Sequence, residues 1–213
     1  MDNIEILIPF KGLRDAKSRL SQLLSENQRQ LIASNMFKRV LEASKESKAD
    51  SVTVVGGGRS SMNLASKFGA NWLDPDCEEL NADFMTVLNM KTDKGFSCIY
   101  VPADLPFLRG RDINYVIDAS RFCKNIVLVP SIGDGGTSCM LIPKGTDFVS
   151  QLGSDSFTRH LAQAEQTGLG VSIVTSWELG LDLDTEEDLN ICEKHEPGFI
   201  SRLAEPLVVY GDN

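Results

Sequence analysis

The fold is decided by residues 4–20, whose sequence is IEILIPFKGLRDAKSRL. Residues 4–8 are apolar except for Glu5, and such a run predicts a buried strand. The loop that follows carries four cations within nine residues: Lys11, Arg14, Lys17 and Arg19. Because the formal net charge of the chain is −9, this local basic cluster indicates an anionic small ligand. The alternative from these residues alone is a solvated helical turn that is basic without binding anything.

Length and composition indicate a single soluble enzyme-sized domain. The chain has 213 residues and is 42% hydrophobic, which is enough for a large core without disulfide or metal staples. We expect one domain over residues 1–196 and a C-terminal tail over residues 197–213. The apolar end of that tail predicts either an edge strand or a contact in a homodimer.

Charge and cysteine spacing exclude several classes of protein. The isoelectric point near 4.8 disfavours binding to nucleic acid, which needs a basic footprint. The five cysteines form no C-x-x-C pair, so a zinc site or a disulfide framework is not expected. We see neither a signal peptide nor an apolar run long enough for a membrane span, and we therefore expect a cytoplasmic protein with no membrane partner.

Strand and helix patterns alternate along the chain and predict an α/β fold with helices on both faces of the sheet. Strands are predicted at residues 4–8, 51–55, 70–73, 96–101, 126–129, 139–142 and 171–174. Helices are predicted from the S-x-x-Q capping box at Ser25 to about Ser47, at 60–68, 80–90, 112–122 and 156–167, and finally from Thr185.

Three carboxylates stand where ligands bind in open α/β sheets, beyond the carboxyl ends of strands. Asp104 follows the fourth strand between two prolines, although a turn aspartate that bonds its own backbone is an equal alternative. Asp182 and Asp184 alternate with leucines, so an extended backbone puts both on one face. Helix capping by Asp184 or Thr185 would explain one of these two aspartates but not both. Together the three offer hard oxygen donors that suit Mg²⁺.

Two further loops could bind an anion through backbone amides. Residues 133–137 are rich in glycine and end in Thr137, and residues 153–157 mark the start of a helix. A plain turn and ordinary N-capping are the alternatives. The two histidines, His160 and His195, are expected to be structural.

Common phosphate-binding and hydrolase motifs do not occur in the chain. The glycines at 56–58 do not form G-x-G-x-x-G, and neither a P-loop motif nor G-x-S-x-G is present. This weakens the dinucleotide-dehydrogenase, P-loop and esterase hypotheses and leaves the basic loop as the candidate phosphate site.

Taken in order, the motifs resemble the 2-phospho-L-lactate guanylyltransferases of coenzyme F-420 biosynthesis, archaeal type. The resemblance rests on PFK at 9–11, AKSRL at 16–20, LNA at 80–82, PADLP at 102–106, Gly136-Thr137, Gly153 with Ser156-Phe157 and His160, and DLDTEEDL at 182–189. It implies a mixed, mostly parallel sheet flanked by helices, the nucleotide-diphospho-sugar transferase (GT-A-like) fold.

The resemblance also implies a reaction, in which GTP and (2S)-2-phospholactate give lactyl-2-diphospho-5'-guanosine and pyrophosphate. Some relatives use phosphoenolpyruvate or 3-phosphoglycerate instead. It implies the following roles: Mg²⁺ binding by Asp104, Asp182 and Asp184; GTP phosphate binding by Lys11, Lys17 and Arg19; nucleoside contact by Asn81; acceptor binding by Thr137, Gly153 and Ser156; and catalysis by Lys17, Arg19 and Asp104.

Two departures and two rival functions accompany the resemblance. Gly12 stands where the family pattern has proline, and Glu79 and Asp83 flank the LNA motif where small or apolar residues are expected.

A sugar-phosphate or molybdenum-cofactor nucleotidyltransferase is a rival on the same fold, but the L-x-A-G-x-x-x-R loop of such enzymes is not present. A nucleotide-binding regulatory module is the rival of another class, and the paired aspartates count against it.

Overall fold

Seven β-strands and eight α-helices follow one another in the described part of the chain. The computed structural model describes residues 3–14, 16–74 and 80–205, except for the side chains of residues 80, 81 and 83. The strands are β1 (Asn3–Pro9), β2 (Ser51–Val55), β3 (Asn71–Leu73), β4 (Phe96–Tyr100), β5 (Asn125–Pro130), β6 (Thr137–Ile142) and β7 (Gly170–Ile173). The helices are α1 (Glu26–Glu46), α2 (Gly58–Lys67), α3 (Leu80–Asp93), α4 (Gly110–Ala119), α5 (Ser156–Gln166), α6 (Trp177–Gly180), α7 (Glu186–His195) and α8 (Phe199–Leu203).

All seven strands belong to one sheet in the order β3-β2-β1-β4-β6-β5-β7. Strand β6 runs antiparallel to both of its neighbours, and the other pairings are parallel. This confirms the predicted mixed, mostly parallel sheet. Because β6 is reversed, its first residue, Thr137, lies opposite Pro130 at the end of β5. The start of β6 therefore lies at the edge where the parallel strands end.

The core lies on both faces of the sheet. Alternate residues of β1 pack on one face with α1, α2 and α4, and the other face packs with α3 and α5. A third apolar cluster joins α1 to α7 and α8 and includes Leu181 and Leu183. This three-layer arrangement supports the loops at the sheet edge from both sides.

Helix α1 begins at the capping box that the sequence predicts. The Ser25 hydroxyl accepts the Gln28 backbone N–H, and the Gln28 side chain accepts the Ser25 backbone N–H at 3.0 Å. The helix is 21 residues long, with a buried face and an exposed polar face. Across the described residues, no helix combines the length and the apolar character that a bilayer crossing requires.

Glu5, the exception in the apolar run of β1, is buried at 1% exposure. Its Oε1 accepts from Lys91 Nζ of α3 at 2.6 Å and also from the Thr53 hydroxyl of β2. Its Oε2 has no hydrogen-bond partner among the described residues. The charge on Glu5 is therefore tolerated because Lys91 reaches it from the covering helix.

Helix α4 ends three residues earlier than the sequence predicts, at Ala119. Residues 121–123 have φ values of 51°, 62° and 55°, which a right-handed helix cannot contain. The Ser120 hydroxyl stabilises the break, since it donates to Ile117 O and accepts from the Cys123 backbone N–H. Apolar periodicity through Phe122 gave no sign of this turn, in which the Phe122 side chain is 88% exposed.

The segment after residue 196 begins with a helix that the sequence analysis did not predict. In α8, Phe199 and Leu203 are buried in the cluster with α1 and α7. The Asn35 amide of α1 donates to Leu203 O at 2.8 Å and so holds the end of α8. Residues 206–213 lie outside the described residues, and the edge strand or dimer contact expected there stays a prediction.

Candidate active site

A cavity of about 750 Å³ opens at the end of the sheet where the central strands β1 and β4 end and β6 begins. Its wall contains most of the residues that the sequence analysis assigned to a site: Lys11, Lys17, Asp104, Thr137, Gly153, Asp182 and Asp184. Three titratable residues that received no role are among the others that line it: Arg14, Tyr100 and Asp134. The topology therefore brings residues from five separate loops into one space.

Asp182 and Asp184 lie in an extended segment between α6 and α7, as the alternation predicts. Leu181 and Leu183 are buried at 3% and 0% exposure, which turns the two carboxylates to the opposite face. Thr185 is the N-cap of α7, and its hydroxyl accepts the Asp188 backbone N–H. Because Thr185 does the capping, neither aspartate is needed for it.

Asp104 reaches the same place from the loop after β4. The Leu183 backbone N–H donates to Asp104 O at 3.3 Å, which joins this loop to the extended segment. One carboxylate oxygen from each of Asp104, Asp182 and Asp184 lies within 4.8 Å of the other two. Three hard oxygen donors at this separation fit a divalent cation, so the donor set that the sequence predicted is assembled.

The local electrostatics show how crowded these carboxylates are. Burial, together with the nearby charges of Asp104 and Asp184, raises the pKa of Asp182 to about 6. Burial acts in the same direction on the pKa of Asp184, but Lys17 outweighs it and the pKa of Asp184 is lowered. Lys17 pairs with Asp104 and Asp184, so Asp182 is the carboxylate whose negative charge is poorly compensated, which favours a further cation.

Lys17 is bound directly to the carboxylates. Its Nζ lies 2.7 Å from Asp104 Oδ2 and 2.6 Å from Asp184 Oδ1, and its side chain is 7% exposed. Burial would lower the pKa of Lys17, but the two carboxylates prevail and raise it. The residue precedes a short 3-10 turn (Ser18–Leu20) and has left-handed backbone angles, φ 52° and ψ 41°. The backbone conformation here aims a charged ammonium group into the cavity.

The other cations of the basic loop lie further out. Arg19 Nη1 is 3.8 Å from Asp184 Oδ2, and the Arg19 side chain is 73% exposed, so this pair contributes little to stability. Lys11 and Arg14 are exposed residues that line the cavity. They extend the positive charge from the buried Lys17 to the mouth of the cavity.

Gly12 has a structural reason to differ from the proline of the family pattern. Its φ is +91°, whereas proline is restricted to about −65°. A Cβ on Gly12 would lie 3.3 Å from Gly57 O in the loop after β2, and a Cβ on Gly57 would lie 2.8 Å from Phe10 O. The two loops therefore pack backbone to backbone, and this close approach explains the glycine at position 57.

Another part of the cavity wall is built around Thr137. The Thr137 backbone N–H donates to Ser156 Oγ at 2.9 Å, and the Thr137 hydroxyl contacts His160 Nδ1 at 2.8 Å. Gly153 lines the cavity beside Thr137. Ser156, to which the resemblance assigns acceptor binding, is fully buried at the start of α5 and is not among the residues that line the cavity, so in this structure its side chain supports Thr137 from within.

Two sequence-predicted features are placed only in part. Asn81 lies near the start of α3, but its side chain is outside the described residues, and its contact with the nucleoside stays a prediction. The same holds for the departure at Asp83, and Glu79 lies outside the described residues altogether.

His195 packs against the rings of Trp177 and Phe107, with ring centroids 4.1 and 5.0 Å away, and so has a structural contact as expected.

The fold has many counterparts among solved structures. A protein of Desulfovibrio desulfuricans G20 assigned as a nucleotide-diphospho-sugar transferase has a TM-score of 0.75 at 14% identity, over 95% of this chain and 94% of that one. A nucleotidyl transferase of Methanothermobacter thermautotrophicus has a TM-score of 0.62 at 13% identity, covering 95% and 100%. Rv0371c of Mycobacterium tuberculosis, in a complex with manganese, has a TM-score of 0.53 at 13% identity, covering 88% and 95%.

The fold is that of known nucleotidyltransferases, and family membership places this protein in the same class. Sequence comparison narrows the class further. The chain belongs to the Guanylyl transferase CofC like family, whose model matches residues 4–201. This confirms the family resemblance that the motifs carry, and it makes the protein a guanylyltransferase of that family.

Relatives in the family are named for three different acceptors. The phosphoenolpyruvate guanylyltransferase of Roseiflexus castenholzii is 30% identical over 206 residues, covering 95% of this chain and 94% of the relative. The 3-phospho-D-glycerate guanylyltransferase of Phenylobacterium zucineum is 31% identical, covering 86% and 87%. The 2-phospho-L-lactate guanylyltransferase of Methanosphaera stadtmanae is 28% identical, covering 89% and 83%.

Proposed function

We propose that this protein joins GTP to (2S)-2-phospholactate in coenzyme F-420 biosynthesis, giving lactyl-2-diphospho-5'-guanosine and pyrophosphate. One observation carries the proposal: a carboxylate cluster, a buried lysine and the hydroxyl-bearing residue Thr137 line the same cavity. Such a cavity has room for two anions that would otherwise repel each other. The acceptors in the names of the three relatives are themselves anions of phosphate and carboxylate.

The chemistry needs no general base. A phosphate oxygen of the acceptor attacks the α-phosphorus of GTP, the bond between the α-phosphorus and the bridging oxygen breaks, and pyrophosphate leaves with the electron pair. The second pKa of a phosphate is about 6, so the attacking oxygen is largely ionised at neutral pH. Catalysis then consists of positioning and of stabilising charge on the departing pyrophosphate.

The residues divide this work between the two walls. Lys11, Lys17 and Arg19 bind the triphosphate, and Lys17 lies deepest, where exclusion of water strengthens its effect on a developing charge. Asn81 contacts the nucleoside. Thr137 and Gly153 bind the acceptor, and Ser156 fixes the Thr137 backbone from behind.

Mg²⁺ is the cation that we propose for Asp104, Asp182 and Asp184. When bound, it neutralises charge on the phosphate oxygens and holds them in place. A manganese complex is known for one protein of similar fold, Rv0371c, which is in keeping with a divalent cation at such a site.

The acceptor is tested by a pyrophosphate-release assay with GTP, ATP and CTP against phospholactate, phosphoenolpyruvate and 3-phosphoglycerate. We expect the highest kcat/KM for GTP with phospholactate. Phosphoenolpyruvate is the second candidate, because the Roseiflexus castenholzii relative that is named for this acceptor aligns with 95% of this chain. A higher kcat/KM with either other acceptor would overturn the choice of phospholactate but not the proposal of guanylyl transfer.

The role of the carboxylates is tested by Asp104→Asn, with Asp118→Asn as the matched control. Asp118 forms an exposed pair with Lys48 away from the cavity. We expect Asp104→Asn to lower kcat by on the order of 100-fold or more, and the control to keep wild-type turnover. Wild-type turnover in Asp104→Asn would overturn the assignment.

A further inference from the structure

His160 is a buried polar residue to which the proposed function gives no task. It lies on α5 at 0% exposure, behind the wall that carries Thr137. Burial, with a smaller contribution from Arg159, lowers the pKa of His160 to about 4. The imidazole is therefore neutral at physiological pH, with a proton on one of its two nitrogens.

The hydrogen bonds of His160 decide which nitrogen carries that proton. The Gln151 backbone N–H donates to Nε2 at 2.8 Å, so Nε2 must be the unprotonated acceptor. The proton consequently lies on Nδ1, which is 2.8 Å from the hydroxyl oxygen of Thr137. Nδ1 is thus the donor in this contact and Thr137 Oγ1 is the acceptor.

This direction of donation fixes what the Thr137 hydroxyl can do. A hydroxyl has one proton to donate, and here its oxygen already accepts a hydrogen bond from behind. Among the described residues no other group bonds to Thr137 Oγ1, and Thr137 lines the cavity. The hydroxyl proton is therefore available to a ligand in the cavity, and a ligand that accepts it best is an anion.

We propose that His160 is a positioning residue for the acceptor. Through its Nδ1–H it turns the Thr137 hydroxyl into a donor aimed at the carboxylate or phosphate of the acceptor. The proposal deepens the proposed function and rests on its assignment of this wall to the acceptor.

The same residue also joins the two parts of this wall. Its Nε2 holds the backbone at Gln151, in the loop that leads to Gly153, while its Nδ1 holds the start of β6. The Phe148 ring packs against the imidazole with centroids 5.6 Å apart and limits its rotation. One imidazole thus sets both the separation of Thr137 from the Gly153 loop and the direction of the hydroxyl.

Two substitutions separate these contacts. In His160→Gln the longer side chain can still accept the Gln151 N–H, but nothing occupies the position of Nδ1. In His160→Asn an amide nitrogen takes the place of Nδ1 and can still donate to Thr137. We expect His160→Gln to raise KM for the acceptor by about tenfold, as for one lost hydrogen bond to a charged ligand, with KM for GTP unchanged. His160→Asn should lie closer to the wild-type value.

A double-variant cycle with Thr137→Val tests whether His160 acts through Thr137. We expect the double variant Thr137→Val/His160→Gln to be no worse than Thr137→Val alone, because the two changes remove the same donor. Additive losses would overturn the proposal, and so would a loss that affects GTP and the acceptor equally.

A measurement on the wild-type protein decides the tautomer without any assay of turnover. The chain has two histidines, so long-range ¹⁵N–¹H NMR spectra of the wild type and of His195→Gln identify the His160 ring. We expect protonated Nδ1 and unprotonated Nε2 at pH 7. Protonated Nε2 would overturn the proposal. If the wild-type protein turned over none of the three acceptors, the proposed function would be refuted instead. The NMR spectrum does not depend on turnover, so the two failures can be told apart.

Discussion

Replacing Lys17 with methionine should destabilise the protein and enlarge its gain in stability in mild acid. Lys17 Nζ lies 2.7 and 2.6 Å from two carboxylates, and at an effective dielectric constant of about 20 each contact is worth roughly 6 kcal/mol before desolvation. Removing one partner of a buried pair typically costs about 3–5 kcal/mol. Since Asp184 is 39% exposed and partly screened, we expect a loss of about 2–3 kcal/mol at pH 7.

The pH dependence provides a sharper signature than the loss itself. Without Lys17, the carboxylates of the folded protein repel one another, so their pKa values lie above those of the unfolded chain. The folded state then binds more protons than the unfolded state, and the free energy of unfolding rises as pH falls from 7 to 5. In the wild type, Asp182, with its pKa raised to about 6, already contributes a gain in this interval. The lowered pKa of Asp184 costs stability only at lower pH, as pH falls from the ordinary aspartate pKa of about 4 through the lowered one. The variant should therefore gain more stability than the wild type between pH 7 and pH 5.

Urea unfolding at several pH values measures both effects, with Lys48→Met as the matched control. Lys48 pairs with Asp118, and these side chains are 59% and 61% exposed, so the control should lose at most about 1 kcal/mol. Equal stability of Lys17→Met and wild type at pH 7 would refute the reasoning. So would a variant whose stability falls between pH 7 and pH 5.

Three further predictions follow from other contacts. Lys91→Met should lower the free energy of unfolding by about 3–5 kcal/mol, because it leaves the buried charge of Glu5 unpaired, and Lys91→Met with Glu5→Gln should recover part of that loss in urea unfolding. Gly12→Ala should lower the free energy of unfolding by about 1–3 kcal/mol, because the φ of Gly12 is +91°, and it should weaken GTP binding in calorimetry. The control Leu23→Ala, at an exposed position, should change neither quantity. Mn²⁺ affinity, measured by calorimetry, should fall as pH drops from 7.5 to 5. The reason is that Asp182, whose pKa is raised to about 6, takes up a proton that competes with the metal. Constant affinity over that range would contradict this prediction.

Local patterns in the sequence predicted much of the fold. The apolar run of β1, the capping box at Ser25 and the alternation around Asp182 each express a rule that acts within a few residues. Such rules also located the carboxylates, because the ends of parallel strands meet at one edge of a sheet.

Contacts between distant parts of the chain could not be predicted in the same way. Lys17 is 87 residues from Asp104 and 167 residues from Asp184, so its pairing with both follows only from the completed topology. The role of His160 depends on a backbone N–H nine residues away, whose direction no side-chain pattern reports. The early end of α4 has a similar origin, since it depends on left-handed backbone angles at three residues that are not glycine.

The backbone contact between Gly12 and Gly57 has a consequence for redesigning this enzyme. Peptide groups, not side chains, determine how closely the loops after β1 and β2 approach each other. This packing lies beside the basic loop that we propose binds the nucleotide, and it depends on the absence of a Cβ at both positions. The half around Thr137 is built from side-chain hydroxyl and imidazole groups instead. Libraries that seek a new acceptor should therefore vary the second half freely and leave the two glycines untouched.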